Sequence, residues 1–133
     1  MKWIRTSGFP WNPSPERLTT LGEWIREHSN GKDTFFAGAD VAVWIPALTG
    51  RRVLRTGMPW LGTNAHRIER SLLFPESQDE GRAALKELAV DYVVLDHSLR
   101  REHQLEPGHF DRLGWLELVF QTADINVYRP RRE

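Results

Sequence analysis

The sequence predicts an α/β fold: a single three-layer α/β/α domain with a mostly parallel, Rossmann-like sheet of about five strands and a C-terminal antiparallel hairpin. Three observations predict it. Strand-like apolar segments alternate with helix-like ones, the pattern of parallel strands joined by crossover helices. The segment Tyr92-Val93-Val94-Leu95 is apolar throughout, as a strand buried on both faces must be. Near the end, two more strand-like segments are joined only by Gln121-Thr122-Ala123-Asp124, a length that closes an antiparallel hairpin.

Each element has its own signal. Residues 1–13 carry Gly8, Pro10 and Pro13 among Trp3, Phe9 and Trp11, and read as an irregular aromatic segment. Ser14-Pro15-Glu16 starts a helix: a serine N-cap, proline at the first helical position and an acid in the first turn. Leu18, Leu21, Ile25 and His28 mark one face, and Asn30-Gly31 ends it with a residue suited to positive φ. Residues 34–38 form a short apolar strand closed by Gly38. Asp40 can cap a helix over 41–48, with Gly50 closing it; Pro46 favours two short turns there. Residues 52–56 alternate as a strand, and 57–64 form a loop around Pro59 and Trp60. Residues 65–74 look helical with Ile68, Leu72 and Leu73 inward, and Pro75 stops them. Ser77 or Asp79 caps the next helix, which runs to about Ala89. After the 92–95 strand, 99–108 read as a polar loop and Pro107 opens a short helix to Leu113. Strands over 115–120 and 125–128 complete the domain, which spans 14–130, and 131–133 form a charged tail.

Composition narrows the function classes. Eighteen Lys and Arg balance eighteen Asp and Glu, so the formal net charge is zero. A nucleic-acid binder carries a basic excess or stripe, so nucleic acid is not an expected partner. The absence of cysteine removes disulfides, thiolate metal sites and a cysteine nucleophile. No apolar run reaches the ~20 residues of a spanning helix, and the first residues lack the apolar core of a secretory signal.

Catalytic signatures are missing, so no catalytic residue, metal or cofactor is expected. No dinucleotide fingerprint follows the first strand. Gly57 and Gly62 have the spacing of a phosphate-binding loop, but Thr63-Asn64 replaces its Lys-Ser/Thr. His97, His103 and His109 recur at six residues, a spacing that puts them on no common face. Asp40, Asp96 and His97 are different, because each follows a strand. Ligands of open α/β sheets bind beyond the carboxyl ends of strands. If the first and third strands adjoin, Asp40 and Asp96 share that edge, where two carboxylates and an imidazole suit acid/base work or the holding of a divalent cation. The plain alternative is an N-cap and a strand end. Trp60 can stack on a sugar, meet a partner, or cover the sheet end.

A longer pattern is also present. It runs from Leu21-Gly22-Glu23-Trp24-Ile25-Arg26-Glu27-His28 through Asp33-Thr34-Phe35-Phe36-Ala37 to Val43-Trp44-Ile45-Pro46-Ala47-Leu48-Thr49-Gly50-Arg51-Arg52-Val53-Leu54. Later come Leu85 to Leu95 and the pair Leu118-Val119-Phe120 and Ile125-Asn126-Val127-Tyr128. This resembles the C-terminal soluble region of bacterial multi-spanning membrane glycosyltransferases that use lipid-phosphate sugars, over about residues 14–129. The resemblance implies an extracytoplasmic α/β domain, on the periplasmic or extracellular face, that assists a membrane enzyme of cell-envelope assembly. Its implied partners are the membrane helices of a parent or partner glycosyltransferase and a glycan or glycolipid. The catalytic acids of that family lie in a loop with no counterpart here, so none is carried over. The rival expectation is a small stand-alone enzyme or ligand-binding protein using Asp40, Asp96 and His97.

Overall fold

Two four-residue segments, residues 34–37 and 92–95, have every side chain buried. A strand buried on both faces must pair along both edges and be covered from above and below. The computed structural model describes residues 15–55, 70–106, 108–122 and 125–131, and shows how the chain meets that demand. The order is α1 (Pro15–His28), β1 (Thr34–Ala37), α2 (Ala39–Ala42), α3 (Trp44–Thr49), β2 (Arg52–Arg55), α4 (Gln78–Leu88), β3 (Tyr92–Leu95), α5 (His97–His103), a 3-10 turn (Phe110–Leu113), β4 (Leu116–Thr122) and β5 (Ile125–Pro130). Residues 70–73, the described end of the expected 65–74 helix, are helical. The expected 1–13 segment and the 57–64 loop lie outside the described residues.

One five-stranded sheet runs in the order β2-β1-β3-β5-β4. β1 pairs parallel with both β2 and β3, and β5 runs antiparallel between β3 and β4. Four strands therefore share one direction and β5 opposes them. Alternate side chains feed two cores. Phe36, Val93, Leu95 and Tyr128 pack with Leu72, Leu85, Leu99 and Trp115 on one face. Phe35, Ala37, Val94 and Val127 pack with Leu21, Ile25, Val41 and Ile45 on the other. Helices α1 to α3 cover the second face, and α4, α5 and the 3-10 turn cover the first. The three layers and the closing hairpin are thus as the sequence predicts.

Local chemistry fixes the helix ends. Ser77 caps α4 by accepting from Glu80 N at 3.1 Å, while Glu80 Oε1 accepts from Glu76 N at 2.8 Å. This is a capping box shifted by one residue. Gly81 sits on α4 where a Cβ would fall on the Trp115 indole, so only glycine lets α4 close over that ring. Pro46 falls in the first turn of α3, and Gly50 ends that helix at φ 74°.

Four expectations change in detail. The turn after α1 uses no positive-φ glycine; Asn30 N donates to Asp33 Oδ2 at 2.7 Å and Lys32 N to Asn30 Oδ1 at 2.9 Å. Side-chain carboxylate and amide oxygens bend the backbone instead. Asp40 is not the N-cap of α2: Gly38 is, and Asp40 is the second helical residue. The first half of the expected 99–108 loop belongs to helix α5, because Asp96 caps it and Leu99 anchors it in the core. The hairpin strands also run longer than expected, with a bulge between Leu118 and Phe120.

Val94 is fully buried opposite Val127, so Val94→Asp sets an unpaired charge in the sheet centre. Cooperative melting should disappear; a wild-type melting curve would disprove this strand assignment. Tyr128 gives a pH prediction. Burial pushes its phenol up to about 12, while it donates to Asp111 Oδ1 at 3.0 Å. The native state then keeps a proton that the unfolded chain, with its ordinary phenol, releases near pH 10. Stability is full below that pH and falls as pH rises toward 12. Melting temperature should drop across this window, and Tyr128→Phe should flatten part of the drop.

Candidate functional site

The strand order makes β1 and β3 neighbours, so their carboxyl ends share one edge as the sequence reading requires. The segment after β1 is Gly38 leading into α2, and the segment after β3 is Asp96 leading into α5. Helices α2 and α5 touch across this edge. Asp96 is buried, and its Oδ1 accepts from Leu99 N at 2.8 Å and from Ser98 Oγ at 2.9 Å. That is an N-cap with an added serine bond. His97 is the first residue of α5 and half-buried. The backbone of Asp40 lies across the edge, on α2. Trp60 lies outside the described residues.

The approach at this edge is very close. A Cβ on Gly38 would fall on the Asp96 carboxylate and 2.6 Å from Leu99 N. Gly38 is extended (φ −78°, ψ 177°), so conformational freedom is not the reason for glycine here. The reason is space: the backbone of the β1–α2 turn lies against the capped start of α5. The geometry therefore brings Asp96 and His97 to the β1–α2 turn, and it engages one Asp96 oxygen in holding α5. Among the described residues, no three His, Asp or Glu side chains meet as a metal site would need.

Among the described residues, the opposite edge of the sheet is more open. There the strands β1, β2 and β3 begin and β5 ends. A groove of about 970 Å³ lies on this edge. Lys32, Arg52, Arg82, Lys86 and Arg131 line it, with Asp91 the one acid. The cations come from the α1–β1 turn, the start of β2, α4 and the residue after β5. Asp91 Oδ2 accepts from Thr34 N at 2.9 Å, tying β3 to β1 at the groove floor. A smaller hollow of about 220 Å³ adjoins it, lined by Asp33, Asp91, Tyr92, Arg129 and Pro130. Burial, helped by the Asp33 charge, pushes the Tyr92 phenol above its ordinary value. Sequence reading missed this groove because its cations are spread from residue 32 to residue 131 in a chain of zero net charge. No linear motif marks it.

The residues of the resembled pattern hold packing together. Thr49-Gly50-Arg51 is one example. Arg51 donates from Nε to Ser29 Oγ at 3.0 Å, from Nη2 to Ser29 O at 3.2 Å and from Nη1 to Thr49 O at 3.0 Å. Arg26 Nη1 donates to Leu48 O at 2.7 Å. Both arginines lock the ends of α1 and α3 to each other. At the α2–α3 junction, by contrast, Val43 and Trp44 are exposed, Trp44 at 44%.

No family model and no curated protein matches the sequence. The fold does match. It is similar to the C-terminal globular domain of an oligosaccharyltransferase from Archaeoglobus fulgidus, with a TM-score of 0.57 and 12% sequence identity. The match covers 84% of this chain and 95% of that one. At this identity the likeness is one of fold. Among the described residues, no helix is long and apolar enough to cross a membrane.

The tight β1–β3 edge yields a prediction. Gly38→Ala forces its methyl into the α5 cap and should destabilise the domain by about 1–3 kcal/mol, the usual range for overpacking. Urea denaturation checks this. A loss below a few tenths of a kcal/mol would mean that α5 does not close onto this turn.

Proposed function

We propose that this chain is a non-catalytic domain that serves a membrane glycosyltransferase of cell-envelope assembly, and that it binds an acceptor or a partner on the extracytoplasmic face. The observation that carries this reading is the likeness of fold, over 84% of this chain, to a globular domain of an oligosaccharyltransferase. The resemblance of the sequence to the C-terminal region of bacterial enzymes that use lipid-phosphate sugars points the same way. The roles of the matching residues support it further. Arg26, Gly50 and Arg51 are used for packing, as expected of a domain whose pattern preserves a shape rather than a reaction. The exposed Val43 and Trp44 offer an apolar contact for a partner at the α2–α3 junction.

A photo-crosslinking residue at Trp44, introduced in the native host, tests this. The expected product is an adduct with a multi-spanning glycosyltransferase, identified by mass spectrometry. The purified chain, incubated with a lipid-phosphate-linked radiolabelled sugar, should release no sugar. Turnover by the purified chain, abolished in His97→Ala, would overturn the non-catalytic reading and favour the stand-alone enzyme at the Asp40, Asp96 and His97 edge. Adducts confined to proteins without membrane spans would overturn the association.

A further inference from the structure

The cationic groove at the amino-terminal strand edge has no part in the reading above and stands independently of it. Five cations line it against one carboxylate, while the whole chain is neutral. Grouping like charges costs self-repulsion, so a neutral chain that does so departs from an even spread. Local chemistry accounts for two of the five. Lys86 lies in the last turn of α4, where a cation offsets the helix dipole. Arg82, in the middle of α4, lies over the Trp115 ring, 5.9 Å from its centroid. Lys32, Arg52 and Arg131 belong to no helix end. They arrive from three other elements, and only the sheet order brings them together.

Their bonding points outward as well. Among the described residues, the side chains of Lys32, Arg52, Lys86 and Arg131 enter no hydrogen bond or ion pair within the chain. Lys32 and Arg131 are held through their main-chain nitrogens, to Asn30 Oδ1 at 2.9 Å and to Trp115 O at 2.7 Å. The backbones are therefore fixed while the charged heads are left to the groove. All four residues are exposed.

We propose that this groove binds the oxyanion part of a phosphate-bearing ligand. Three features of the groove select that chemistry. Its volume falls in the range of small-molecule sites rather than of a single ion. Its charge excess suits a group bearing two or three negative charges better than a lone carboxylate. Two of its members at the rim, Arg52 and Arg131, carry the planar fork that bonds phosphate oxygens in pairs. The concave form and the nearby Asp33 and Asp91 disfavour a long polyanion or a flat anionic surface, which would meet these acids.

Pyrophosphate is the first probe. Amide resonances of the full 133-residue chain are followed by NMR as pyrophosphate is added at low salt. Saturable shifts are expected at Lys32 to Thr34, Arg52, Arg82 to Lys86 and Arg131, weakening as salt rises. The paired reversal Arg52→Glu with Lys86→Glu should weaken binding at least about tenfold. Both sites are exposed, so melting temperature and the remaining spectrum should be unchanged. If the pair does disturb folding, Arg52→Gln alone gives the same readout in milder form. No saturable shift by about 10 mM, ten times a millimolar dissociation constant, overturns the proposal. Shifts spread evenly over all surface cations, or shifts that survive the reversal, overturn it too. Co-sedimentation with phosphatidic-acid vesicles but not phosphatidylcholine vesicles, alongside the pyrophosphate shifts, identifies a lipid headgroup as the source of the phosphate. Shifts without co-sedimentation identify a soluble ligand. Co-sedimentation without shifts overturns the groove.

Discussion

The parallel pairing of β1 with β3, buried from both sides, is the constraint on which the domain depends. Every side chain of Thr34–Ala37 and Tyr92–Leu95 is withdrawn from water. Their backbone groups must then bond within the protein, since an unpaired buried group costs about as much as a lost hydrogen bond. β2 takes the outer edge of β1, and β5 takes the outer edge of β3. Their side chains need apolar cover on both faces, and the helices divide accordingly. Asp91 adds a bond across the pair at its beginning, accepting from Thr34 N while Asp91 N donates to Thr34 O at 2.8 Å. Strand order, layer count and core composition all follow from satisfying these two short segments.

The same pairing gives the sheet two unlike ends. At the carboxyl ends, the turns after β1 and β3 lie against each other so closely that Gly38 has no room for a side chain. The Asp96 carboxylate there serves as a helix cap. At the amino ends, the incoming segments are polar turns and a helix C-terminus, which do not close over the strands. Basic side chains from four elements face the resulting groove. In open α/β sheets the carboxyl edge is the usual ligand site. Among the described residues, the tighter packing falls at that edge and the groove at the other.

The pattern that resembles membrane glycosyltransferase regions has a physical content of its own. Its arginines bridge helix ends: Arg51 closes on Ser29 and Thr49, and Arg26 reaches Leu48. Gly50 supplies the left-handed turn between α3 and β2. Tyr92 stacks on Phe35 with ring centroids 4.8 Å apart and meets Trp24 edge-on at 5.9 Å. Trp24 in turn lies on His28 and beside Phe120, joining α1 to β4. A chain with many aromatic residues spends several of them on fastening the outer helix to the sheet.

The sequence by itself determined the local and the periodic. The apolar run at Tyr92–Leu95, the serine before α4, the proline opening α1 and the short hairpin link are all signals within a few residues of the element they specify. The α/β/α architecture follows from their order, because handed, short connections leave few alternatives. Helix α5 was less legible: its cap, Asp96, reads equally as the end of a strand, and only Leu99 entering the core settles the matter. That Gly38 rather than Asp40 holds the N-cap position was equally hidden, since a glycine offers no side-chain cap to read. Tertiary structure alone decided which edge of the sheet is tight, and which charges meet. Lys32, Arg52, Lys86 and Arg131 are unremarkable in the linear chain. Strand order places them on one rim, because charge acts through space and the sequence records only its order along the chain.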